Sequence, residues 1–295
     1  MVFTLPHELN SLILGNRKVL YKLLFDAAAE TLLDFAKNPK HLGATPGILA
    51  VLHTWGQQLS FHPHLHCIVS GGGMIKTKNN VTWRNAVRNK DDFLFPVKAM
   101  AIVFRAKYLQ GLKKRIENRE VVLQADLNII DIINQGYSKD WVVYAKKPFG
   151  GPQQVIEYLG RYTHKVAITN NRIKEVNLKA DTVTIDYKDY SDLGQIKELK
   201  LNTLEFIRRF EQHILPKYFT KIRSYGYLSN RNRKSNITAI ILFLKVPQHP
   251  EKVKTPWHVR LLEKYHIAHD QCPHCQKMSL TLVAVTFKYA IINDS

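Results

Sequence analysis

Residues 62–69, His-Pro-His-Leu-His-Cys-Ile-Val, alternate and then turn wholly apolar, which is the pattern of a β-strand. The side-chain period of a strand is two, so His64 and His66 share one face while Leu65 packs on the other. His62 falls on the same face as His64, but it precedes a proline and sits at the margin of the ladder. Ile48 to His53 is a second strand candidate, and Met1 to Pro6 a third, stopped by its proline. Gly71-Gly72-Gly73 is expected to close the histidine strand, so that the central strands form a hairpin or a neighbouring pair.

Helical periods flank these strands. From Arg17 to Ala36 the residues Leu20, Leu23, Leu24, Ala27, Ala28, Leu32 and Phe35 mark one apolar stripe. A second helix is expected from Pro96 to about Ile116, turning Val97, Ile102, Val103, Leu109 and Leu112 inward. Pro152 suits the first turn of a helix reaching about Tyr162, and Thr203 to Leu215 forms another, stopped by Pro216. Trp141 to Ala145, Val166 to Thr169 and Asp181 to Tyr187 read as strands. Strand pairs mixed with helices indicate an α+β fold with a largely antiparallel central sheet and flanking helices. The 295 residues divide into an expected catalytic part, 1–196, a basic-aromatic extension, 197–246, and a carboxyl-terminal tail, 247–295.

Charge narrows the partner. The chain has 43 Lys and Arg against 24 Asp and Glu, a net charge of +19, which calls for a polyanion. Nucleic acid leads, and an anionic membrane surface is the weaker candidate. A content of 45% apolar residues excludes wholesale disorder. The longest apolar run, Ile237 to Leu244, is far short of the roughly 20 residues of a membrane span. The opening MVFTLPHEL lacks the layout of a signal peptide, and three cysteines suit a reducing cytoplasm better than a disulfide scaffold. Between 197 and 234, ten basic residues gather, densest at Arg208-Arg209 and at Arg231, Arg233 and Lys234; Arg223 and Tyr225 lie among them. Basic side chains neutralise phosphates and aromatic rings stack on unpaired bases, so this stretch fits a single-strand groove.

Two pairs can carry chemistry. His64 and His66, about 6–7 Å apart along a strand, are placed to share one metal ion. Tyr158 and Tyr162, at i and i+4 of a helix, project side by side, with Arg161 and Lys165 beside them and the basic turn Lys146-Lys147 ahead. Neighbouring cations favour a phenolate, and a metal polarises a phosphate. Gly160, between the tyrosines, leaves room for close approach of a backbone. Cys272-Pro-His-Cys275 is half of a zinc site and lacks an evident second half.

His64-Leu65-His66 resembles the His-hydrophobic-His signature of the HUH single-strand endonucleases, and Tyr158 with Tyr162 resembles the Tyr-x3-Tyr of their two-tyrosine branch. The surrounding HTWGQQLSFHPHLHCIV, KKPFGGPQQVIEYLGRYTHKVAI and YGYLSNRNRK are similar to the rolling-circle insertion-sequence transposases of the IS-ninety-one type, over about residues 2–234. The resemblance implies an HUH endonuclease-like fold with the histidine sheet beneath the tyrosine helix. It also implies Mg²⁺ or Mn²⁺ at His64 and His66, and attack by Tyr158 or Tyr162 on single-stranded DNA at transposon ends, giving a 5′-phosphotyrosine and a free 3′-OH. A bacterial cytoplasmic, nucleoid-associated protein is expected, without a membrane. Because Mg²⁺ prefers oxygen ligands, a third ligand is expected; Gln154 is the first candidate, with Gln57 and His53 behind it. Relatives usually carry a zinc-binding segment ahead of the first strand, and this chain begins at that strand. Rival readings are a replication initiator or relaxase, a hydrolase without a covalent step, and a non-catalytic DNA-binding remnant.

Overall fold

The computed structural model describes residues 1–78, 80–86, 94–123, 128–163, 166–247, 255–266, 268, 271–272 and 274–277. Met1–Val246 forms one compact unit and Pro247–Ser295 a second. In chain order the elements are β1 (Val2–Thr4), α1 (Asn10–Gly15), α2 (Arg17–Lys37), β2 (Thr45–Trp55), β3 (Phe61–Lys76), β4 (Val81–Asn85), α3 (Val97–Glu117), α4 (Ile129–Ser138), β5 (Val143–Tyr144) and α5 (Pro152–Thr163). There follow β6 (Ile173–Asn177), β7 (Thr182–Asp189), β8 (Gln195–Asn202), α6 (Thr203–Glu211), β9 (Ile222–Gly226) and α7 (Arg233–Phe243); α8 (Trp257–Tyr265) belongs to the second unit. The fold is α+β and its strand pairs are antiparallel, as the sequence pattern predicts. No described helix is long and apolar enough to cross a membrane.

The main sheet runs β5-β1-β3-β2-β9, with β4 added to β3. β3 is 16 residues long and serves two partners on one edge, β1 at His64–His66 and β4 at Gly72–Lys76, while β2 pairs along the other. The three glycines therefore do not end the strand, which continues through them to Lys76. A Cβ on Gly72 would lie 2.5 Å from the Trp83 ring, so glycine is what allows β4 to lay that indole across the sheet.

On one face of the sheet Phe3, Leu52 and Leu65 are buried against α2 and α3, whose Leu20, Leu24, Met100, Phe104, Tyr108 and Leu112 complete the core. Burying each such side chain contributes about 1.5–3 kcal/mol before entropy is counted. The inner stripe of α3 steps by fours, 100-104-108-112, which leaves Ile102 60% exposed rather than inward.

A three-stranded sheet, β6-β7-β8, builds a second small core from Leu59, Ala167, Val183, Ile185 and Leu201, backed by Phe206 of α6. Arg172 ties it to the β2–β3 connection, donating to the carbonyls of Asp186, Ala167 and Gln57. Val166 to Thr169, expected as a strand, has no ladder partner among the described residues; Val166 is exposed and the segment leads into a short 3₁₀ turn at Asn170–Arg172. The helix expected to reach Leu215 stops at Glu211.

His213, just past that helix, is buried and neutral: Nε2–H donates to the Leu59 carbonyl at 3.2 Å and Nδ1 accepts from Thr54 Oγ1 at 3.2 Å. Burial holds its pKa below the ordinary histidine value. The unfolded chain therefore binds a proton there first, so His213 stabilises fully above about pH 6.5 and that contribution is lost as pH falls through the folded value. The melting temperature is expected to fall between pH 7.5 and 5, and to fall less steeply in His213→Gln; equal slopes in thermal melts would refute the assignment.

Candidate metal and nucleophile site

The other face of the main sheet carries the site. Three cross-strand pairs follow one another along the β2–β3 ladder, His53 with His64, Val51 with His66, and Leu49 with Ile68. The face thus passes from imidazoles at one end to apolar side chains at the other. His53 and His66 are buried and His64 partly so. One ring nitrogen from each of the three lies within 4.8 Å of the others, close enough for a single ion to touch all three.

Backbone carbonyls settle two of the tautomers. His53 Nε2–H donates to the carbonyl of Tyr162 at 2.9 Å, and His64 Nδ1–H to that of His62 at 2.7 Å. In the neutral rings the lone pairs are then on His53 Nδ1 and His64 Nε2. An imidazole whose second nitrogen is engaged by a carbonyl is the usual setting of a metal ligand, so the donor set fits a divalent ion. His66 Nε2 is 3.2 Å from His64 Nε2, and its Nδ1 is 2.9 Å from the Tyr158 hydroxyl.

α5 lies over this face. Pro152 opens it, and Val155, Tyr158, Leu159 and Tyr162, at i, i+3, i+4 and i+7, turn toward the sheet, while Ile156 is exposed. The two phenol rings are 4.2 Å apart, and that of Tyr162 is 4.1 Å from His66. Burial, then the neighbouring Tyr162, raises the Tyr158 pKa above the ordinary phenol value. Gly160 is exposed, with nothing within 4 Å of where a Cβ would stand.

The third member of the histidine group is His53. Gln154 is exposed, and its Oε1 accepts from the Gly150 N–H at 2.8 Å, closing its own loop. The period-two run Leu49-Val51-His53, on a strand that the sequence does predict, was the signal for His53.

The basic residues separate. Lys146 and Lys147 are exposed and line a cleft beside Tyr158. Arg231, Arg233 and Lys234 are exposed shortly after Tyr227 and Leu228, which line the same cleft. Arg208 and Arg209 both bind Glu205 on α6, drawing its carboxyl down to about 2, and Arg209 also donates to the Gln58 carbonyl. Arg223 and Tyr225 pair with Ala50 and Ile48 and so lie on the helix-bearing face, away from the histidines. The Arg223 guanidinium sits 4.4 Å over the Phe25 ring, and burial pushes the Tyr225 phenol up to about 12. Lys165 and the side chain of Arg161 are outside the described residues. In the second unit the Cys272 thiol is drawn down by the N–H groups of Cys275 and His274; among the described residues no further ligand joins the cysteine pair.

An α+β fold whose central antiparallel strands carry a His-x-His pair and a third histidine, faced by a helix with paired tyrosines, fits the HUH type. The chain belongs to a transposase family: the family model described as "Putative transposase" matches residues 47–236. It is 38% identical over 296 residues to "Putative transposase y4qJ" of Sinorhizobium fredii (strain NBRC 101917 / NGR234), covering 97% of this chain and 72% of that protein. It is 30% identical over 234 residues to "Transposase for insertion sequence element IS801" of Pseudomonas savastanoi pv. phaseolicola, covering 78% of this chain and 54% of that protein. No solved structure matches the chain.

Proposed function

We propose that this transposase cleaves and rejoins single-stranded DNA by metal-dependent transesterification through a 5′-phosphotyrosine. The observation that carries the reading is the 2.9 Å contact between Tyr158 Oη and His66 in a cluster of three histidines. A divalent cation, Mg²⁺ or Mn²⁺, held by His53, His64 and His66 would polarise the scissile phosphate. The chain's own groups supply the rest. With its Nε2 lone pair engaged by the ion, His66 would carry its proton on Nδ1 and donate to Tyr158 Oη, holding that oxygen in place. The tyrosine oxygen bonds to phosphorus, the bond from phosphorus to the 3′ oxygen breaks, and the phenol proton ends on the 3′-OH. Phosphodiester energy is retained in the protein link, so the second tyrosine and the free 3′-OH permit rejoining without added energy. Lys146, Lys147, Arg231, Arg233 and Lys234 neutralise the strand's phosphates. We assign 1–196 to catalysis and 197–246 to DNA binding, and the reaction to the bacterial cytoplasm, where its DNA lies.

The test is incubation of the purified chain with labelled single-stranded DNA from an insertion-sequence end and Mn²⁺. A denaturation-resistant DNA–protein adduct is expected. Binding without an adduct favours the non-catalytic remnant, and hydrolysis without an adduct favours a hydrolase.

A further inference from the structure

Beyond the histidines the same sheet face does not end at solvent. It continues into a cleft of about 670 Å³ between the sheet, α5 and the connection Lys146–Phe149. Leu49 and Ile68 extend the floor from the histidine pairs, Val155 and Leu159 form the α5 wall, and Phe149 and Tyr227 supply rings from two other segments. The cleft is large enough for a nucleotide-sized ligand. It is apolar, but Tyr158 and His66 stand on its wall and Lys146 and Lys147 on its lining. A purely apolar partner would not call for two lysines at the rim, and a purely ionic one would not call for this floor.

Phe149 is the key side chain. Its ring centroid is 5.2 Å from that of Tyr158, and it is 37% exposed, so one part of the ring stays available beside the phenol. Tyr227 reaches the sheet because Gly47 has no side chain: a Cβ there would be 2.5 Å from its ring. The Ser70 hydroxyl in the lining is already committed, donating to the Gly72 carbonyl and accepting from the Gly47 N–H. Most of the walls are flat rings and methyl groups, which accept any base face.

We propose that this cleft receives the unpaired nucleobase next to the scissile phosphate, stacked on Phe149. The proposal rests on the reading of the chain as a single-strand DNA transesterase, and it names what makes the reaction single-stranded. A base still paired in a duplex cannot enter, so the phosphate beside it never reaches Tyr158. The cleft selects for an unstacked base and not for its identity.

The experiment uses the full chain and a single-stranded dodecamer of 5-iododeoxyuridine, with EDTA present so that cleavage does not intervene. Near-ultraviolet irradiation joins this base to aromatic rings stacked on it, and peptide mass spectrometry locates the join. A cross-link on the peptide bearing Phe149 is expected. It should disappear in Phe149→Ala, return in Phe149→Trp, and persist in the Tyr158→Phe/Tyr162→Phe protein. Affinity for the dodecamer, read by fluorescence anisotropy, should drop roughly tenfold to a hundredfold in Phe149→Ala and recover in Phe149→Trp. A dodecamer in duplex should give no cross-link at Phe149. Cross-links confined to 197–246, or unchanged affinity in Phe149→Ala, overturn the proposal. Adduct formation without this cross-link leaves the transesterase reading standing and sinks the cleft; the cross-link without an adduct does the reverse.

Discussion

Alanine in place of His64 or His66 is expected to lower phosphotyrosine adduct formation at least about a hundredfold, with single-strand binding changed by less than about threefold. Each substitution removes one of the three ring nitrogens that lie within 4.8 Å of one another, leaving two protein ligands for the ion. The phosphates are meanwhile neutralised by lysines and arginines elsewhere, so affinity for DNA and the rate of cleavage should separate. His53→Ala belongs with this pair and Gln154→Ala does not: the amide of Gln154 is spent on Gly150, and its loss should leave the adduct yield within about twofold. Because His53 also holds the Tyr162 carbonyl, its variant is compared with His53→Gln, and thermal melts establish that both are folded. Adduct yield across a Mn²⁺ titration is the measurement. A wild-type yield from His64→Ala/His66→Ala would falsify the metal site, and loss of adduct in Gln154→Ala would restore glutamine as a ligand.

The histidine pair was legible because a strand alternates with a fixed period, so two residues apart means one face whatever the neighbours do. The tyrosine pair was legible for the matching reason on a helix. Period says nothing about what stands across the ladder, and that is why His53 ranked behind Gln154: its place opposite His64 is a matter of register between β2 and β3. The same gap explains Arg223 and Tyr225. Composition groups them with the basic stretch, but their parity on β9 sends them to the helix-bearing face, where the guanidinium lies over Phe25. Composition also hid β8: its alternate residues Leu199 and Leu201 face the small core, while Lys197 and Lys200 suggested only a charged surface. The glycine run misled for a different reason. Glycine marks either a turn or a close approach, and for Gly72 the choice is decided by Trp83, eleven residues further along the chain.

Of the two tyrosines, Tyr158 is expected to make the first cut, and Tyr158→Phe to reduce single-turnover adduct formation about a thousandfold or more. Its hydroxyl meets His66 Nδ1 at 2.9 Å, and it lines the cleft beside Phe149. Tyr162 is held differently. Its ring packs on His66 at 4.1 Å and within 5.5 Å of His53, and its own carbonyl takes the His53 N–H. Burial keeps the Tyr158 phenol protonated well above the ordinary range, so this oxygen does not react until a donated hydrogen bond and a polarised phosphate favour its charged form. Tyr162→Phe should therefore still form the first adduct, within about tenfold of wild type, while losing the second cleavage that exchange of strands requires. Phenylalanine preserves the 4.2 Å ring pair, so the comparison isolates the two hydroxyls from the packing they share. Mapping the adduct peptide after one turnover decides the order. DNA found on Tyr162 in the wild-type protein, or an intact first adduct in Tyr158→Phe, reverses the assignment and makes the contact with His66 a resting-state hydrogen bond without a part in the first step.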